Sequence, residues 1–76
     1  MMYHFILAVC LVYDISGEPV NPCFMVESPE YYPSKAMCLV EARKMEIEYV
    51  EYLSEKYPRA SVVQNAPCGL VEGSNS

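Results

Sequence analysis

The sequence predicts an α+β domain of two layers: a ββαβ chain whose three-stranded antiparallel sheet, in the order 2-1-3, is covered on one face by one long helix. Three observations carry this. Residues 3–14 are rich in Tyr, Phe, Ile, Leu and Val and contain neither Gly nor Pro, as a strand buried on both faces requires. Residues 35–57 hold no breaker until Pro58. Four cysteines, Cys10, Cys23, Cys38 and Cys68, fall one in each of four successive elements.

The first strand, residues 3–14, is the central one by its apolarity. Ile15-Ser16-Gly17-Glu18 supplies a turn, with Gly17 free to take the positive φ of a tight hairpin. The second strand, residues 19–26, contains Pro19 and Pro22, which donate no ladder hydrogen bond and place it at a sheet edge. Residues 27–33 form a loop closed by Pro33, and Ser34 is the N-cap of the helix. Pro58 ends the helix, because the residue before a proline is pushed out of the α region. A rod of this length, about 33 Å, matches a strand of about ten residues. The third strand, residues 60–67, centres on Val62 and Val63. With the chain running up, down, up and down, it lies beside the first strand on the side away from the second.

At 76 residues there is room for one domain, assigned to residues 1–68, with 69–76 as a flexible tail. A hydrophobic content of 53% separates the chain from disordered sequences. The formal charge of -5, with only five Lys and Arg, argues against neutralising nucleic-acid phosphates directly. The apolar run at the start lacks a cationic beginning and a small-x-small cleavage site, so it is not expected to be a signal peptide. It is also far shorter than the roughly 20 residues of a membrane-spanning helix. Catalysis is not expected: there is no glycine-rich phosphate loop, no metal constellation and no nucleophile–base pair, with His4 and Asp14 at opposite ends of one strand. No cofactor is implied.

A chain this short gains little from its core, so cross-links weigh heavily. A two-residue turn at Ser16-Gly17 puts Cys10 opposite Cys23, and the topology brings the start of the helix, with Cys38, to the end of the third strand, with Cys68. The favoured bridges are therefore Cys10–Cys23 and Cys38–Cys68, worth about 3 and about 3.5 kcal/mol on the chain-entropy model. Four cysteines allow other pairings. Four reduced core thiols and a zinc site are the remaining readings, the latter without any Cys-x-x-Cys pair to support it.

Projected at 100° per residue, the helix shows a stripe of Ala36, Leu39, Val40, Ile47, Val50, Leu53 and Tyr57 expected to face the sheet. A second apolar flank, Ala42, Met45, Tyr49 and Tyr52 with Cys38, widens the arc beyond what one sheet face can bury. Met45, Tyr49 and Tyr52 are thus candidates for partner contact, or are covered by the 27–33 loop. Within that loop Glu30, Tyr31 and Tyr32 form a second candidate contact, stiffened by Pro29 and Pro33, unless the two rings cap the core. Glu41, Glu48, Glu51 and Glu55 with Lys44 make either a solvated helix face or an acidic strip that competes with phosphate for a basic groove. The sheet face opposite the helix is apolar and needs cover, which points to self-association or to a protein partner.

An apolar first strand ending in Cys, a second Cys after a short hairpin, Tyr-Tyr followed by Cys near the helix start, and a last Cys closing the third strand resemble small cysteine-containing proteins encoded by bacteriophages. The likeness spans residues 3–68. It implies a viral source, with the host cytoplasm or the virion as the place of action, and no activity comes with it. The expected function is a small non-enzymatic protein-binding module, a viral accessory protein that modulates or inhibits a host protein. The alternatives are a structural component of a virion or oligomer, and an acidic inhibitor of a nucleic-acid-binding groove.

Overall fold

The computed structural model describes residues 1–71. Among them the elements run β1 (Tyr3–Ile15), β2 (Glu18–Val20), β3 (Cys23–Glu27), α1 (Lys35–Lys56), β4 (Ser61–Asn65) and β5 (Cys68–Leu70). The class is α+β, with a single helix on an antiparallel sheet. Every other strand pairs with β1 alone: β2 and β3 along one side, β4 and β5 along the other.

The sheet therefore has five strands rather than three, and two prolines explain the difference. What the sequence offered as one second strand is divided at Asn21-Pro22, and the third strand at Ala66-Pro67, because a proline leaves a gap in the ladder. Neither interruption slips the register. One side runs in step from Ile15↔Glu18 to Ile6↔Glu27, and the other from Val12↔Ser61 to Tyr3↔Leu70. The Leu11 N–H bridges the first gap, donating to the Pro22 carbonyl at 2.9 Å. Gly69 and Leu70, expected in a flexible tail, instead pair with His4 and Tyr3, and the Val71 N–H donates to the Met2 carbonyl. The rest of that expected tail, residues 72–76, lies outside the described residues.

The register starts at the hairpin. Ser16 and Gly17 both have positive φ, 54° and 84°, the two-residue primed turn whose twist matches its strands. Cys10 consequently faces Cys23 across a non-hydrogen-bonded pair, the closer of the two antiparallel spacings, and the two are bridged at a Cα separation of 4.1 Å. The second disulfide joins Cys38 to Cys68 at 6.2 Å.

Alternation along β1 sends Phe5, Leu7, Val9 and Leu11 to one face, where all four are buried. The helix packs there, on β1, β4 and β5. Ser34 caps it as expected, with extended backbone and its hydroxyl accepting from the Met37 N–H at 3.2 Å. Its rotation differs from expectation. Leu53 of the expected core stripe is buried, but the other residues turned to the sheet are Cys38 and Ala42 of the second flank, with Met45 and Tyr49 packed against the same core, while Leu39, Val40 and Ile47 of the expected stripe point outward. The Cys38–Cys68 bridge requires this, since a helix residue tied to a strand must face it. Ala42 lets the helix approach, and the Gln64 side-chain amide on β4 donates to the Glu46 carbonyl at 2.9 Å.

Candidate functional site

Among the described residues two apolar surfaces remain uncovered, and each follows from the packing just described. The first is the sheet face away from the helix. There β1 presents His4, Ile6, Ala8, Cys10, Val12 and Asp14, the alternate set to its buried residues. Their direct neighbours share the face: Met25 beside Ala8, Cys23 beside Cys10, Glu27 beside Ile6, and Val63 on the other side of Cys10. Met25 is 74% exposed and Val63 56% exposed. The Cys10–Cys23 disulfide lies at the middle of this face. Its only acidic residues on the β1 and β3 ladders are Asp14 and Glu27, one near each end.

The second surface is the outer ridge of the helix. Leu39, Val40 and Ile47 are 49%, 53% and 48% exposed, and with Arg43, Ala42 and Ala66 they line a shallow groove of about 490 Å³. Lys44 and Glu46 line the same groove, and among the described residues the one ion pair is Lys44 to Glu41 at 3.3 Å.

The six residues singled out in the sequence as contacts do not form one site. Tyr32 belongs to the core: it is buried, its ring is stacked on Phe5 at 6.2 Å, and its backbone exchanges hydrogen bonds of 2.7 and 2.8 Å with Tyr3. Burial, then the nearby Glu30 and Glu41, raise the pKa of its phenol. Tyr31, the next residue back, is exposed and sets its ring edge-on to His4 at 6.0 Å, which joins it to the rim of the open sheet face. Glu30 is exposed, and its carbonyl accepts from the Ser28 hydroxyl at 2.9 Å. Met45 and Tyr49 are turned inward and half-buried, Tyr49 lying 6.0 Å from the Phe24 ring. Tyr52 is exposed, and its hydroxyl accepts from Lys56 at 3.4 Å, which raises the lysine pKa. The exposed apolar residues that sequence reasoning placed in the core stripe are Leu39, Val40 and Ile47. The signal that could have found them is Cys38, because bridging it to a strand fixes which flank faces inward.

The acidic residues occupy a third direction. Glu48, Glu51 and Glu55 are exposed along one side of the helix, with Glu41 held to Lys44. A further cleft of about 530 Å³ at the far end of the helix is lined by Tyr13, Asp14, Lys56, Tyr57 and Arg59. Among the described residues no three His, Cys, Asp or Glu side chains are grouped to hold a metal ion, and no helix is long and apolar enough to cross a membrane. Comparison with protein families, curated proteins and solved structures found no match.

Proposed function

We propose that this chain is a small non-enzymatic protein-binding module that docks through the outer ridge of its helix. The observation that carries the reading is the set of three branched side chains, Leu39, Val40 and Ile47, held about half exposed on a helix that the Cys38–Cys68 bridge prevents from rolling. A rigid apolar ridge loses little conformational freedom on docking. Arg43 within it adds a residue type enriched at contact centres. The partner this favours is a protein offering an apolar groove edged by a carboxylate. The likeness to phage-encoded proteins makes a host protein that is modulated or inhibited the natural occupant.

The test is capture of that partner from lysate of the source cell by the oxidised chain, compared with Val40→Glu and Ile47→Glu variants. Loss of capture with both variants supports the ridge. Undiminished capture rejects it. A set of Lys substitutions at Glu41, Glu48, Glu51 and Glu55 separates the acidic groove inhibitor, which alone requires those charges. A second reading, an assembly component, is favoured by the bare sheet face and leads to the inference below.

A further inference from the structure

We propose that the open sheet face is the interface of a symmetric dimer, covered by the same face of a second copy with the two β1 strands antiparallel. The proposal is independent of the helix ridge, which such a dimer leaves free on both outer sides.

Shape is the first argument. The molecule is elongated, with extents of 53 × 21 × 14 Å; its thinnest direction holds one sheet and one helix, which leaves the whole length of the sheet bare on one side. Area is the second. A β1 strand of 13 residues at about 3.3 Å each, across three strand widths of about 4.8 Å, gives a face of roughly 600 Å² before side-chain relief is counted. That is about a tenth of the 5584 Å² surface, the share a stable recognition patch takes on a small protein.

Apolar matching is the third argument. When one copy is reversed, Ile6 lies toward Val12 of its mate and Ala8 toward Cys10, so apolar side chains meet apolar side chains along the seam, with the Cys10–Cys23 bridge at its middle. Two sheets then pack at about 10 Å.

Charge selects the direction and the occupant. With β1 strands parallel and stacked, the two-fold would set Asp14 against Asp14, and like charges facing each other oppose association. Reversed, the end carrying Asp14 meets the end carrying His4, and Glu27 approaches the lane of Asn21. An imidazole replaces a carboxylate as the neighbour of Asp14. The net charge of -5 does not prevent pairing, because Glu41, Glu48, Glu51 and Glu55 ride on the helix. In the dimer the two helices are outermost, separated by two sheets and more than the roughly 8–10 Å over which surface charges act in physiological salt.

The experiment is sedimentation velocity of the oxidised full chain over a dilution series. A reversible monomer–dimer equilibrium is expected. Met25→Glu with Val63→Glu, both at exposed positions that do not carry the fold, should weaken it by about a hundredfold or more, because four carboxylates would be buried unpaired. Ile47→Glu should leave it unchanged. Asp14→Lys should weaken it, and adding His4→Asp should restore it, as only the reversed arrangement demands. A monomer at every concentration overturns the proposal. So does a dimer indifferent to the Met25 and Val63 substitutions, which would place pairing at a sheet edge. A dimer broken by Ile47→Glu instead would move the interface to the helix. A persistently monomeric chain whose Met25 becomes protected by another protein would assign the face to that partner.

Discussion

Replacing Cys38 and Cys68 together by Ala should cost this protein more stability than any surface change. The bridge closes a loop with a sequence separation of 30, and constraining a loop of that size in the unfolded chain is worth about 3.5 kcal/mol. For a domain of fewer than a hundred residues, each kcal/mol moves the melting temperature by about 4–8 °C, so the expected drop is roughly 14–28 °C. The Cys10–Cys23 bridge, with a separation of 13, should cost slightly less, about 3 kcal/mol. The two also differ in what they hold. Cys38 is fully buried between helix and sheet, whereas Cys10–Cys23 staples two strands that the hairpin already registers. Calorimetric melting of the two double variants and the parent, at one protein concentration below association, gives the comparison. A fall of less than about 5 °C on losing Cys38–Cys68 would refute the reasoning, because the helix would then be held by packing alone.

Three further outcomes are expected. Ala42→Glu should abolish stable folding, since burying an unpaired carboxylate under the helix costs several kcal/mol, while Ile47→Glu should change stability by no more than about 0.5 kcal/mol; circular dichroism melts of the two distinguish the inward from the outward flank. Stability should fall as pH rises above 10.0, the ordinary tyrosine value: burial keeps the Tyr32 phenol protonated in the fold, the unfolded chain ionises first, and the stabilisation complete below that pH is lost above it. Urea titrations at rising pH should show that slope shrink in Tyr32→Phe. At the hairpin, Ser16→Asn should stabilise by about 0.5 kcal/mol in the same assay, because Asn accepts positive φ more readily than Ser.

Much of the fold was legible because local rules and long-range geometry agreed. The unbroken apolarity of residues 3–14, positive φ at Gly17, the cap at Ser34 and the stop at Pro58 each specify one element, and the hairpin turn alone suffices to set Cys10 against Cys23. Pro22 and Pro67 mark where the outer strands break. Their cost to the ladder was readable, but the strand's persistence beyond Pro67 was not, because pairing of Gly69 and Leu70 depends on β1 continuing to Tyr3 beneath them. The helix was misread for a different reason. Its two flanks are similarly apolar, so periodicity could not choose between Leu39–Val40–Ile47 and Cys38–Ala42–Met45. The choice came from a covalent tie and from the small size of Ala42. The same rotation turned Met45 and Tyr49 inward and left the opposite flank exposed, and the bridge between Tyr3 and Tyr32 divided the Tyr31–Tyr32 pair between rim and core.

The rotation of the helix and the bareness of the sheet meet in one measurement, the rates of methionine oxidation by dilute peroxide, resolved by peptide mass spectrometry at a concentration too low for pairing. Met25 on the open face and Met37 on the outer helix are exposed, whereas Met45 is packed against the core. Fast oxidation of Met25 and Met37 with slow oxidation of Met45 is the expected result. Met45 reacting as fast as Met37, or Met25 protected in the isolated monomer, would contradict it.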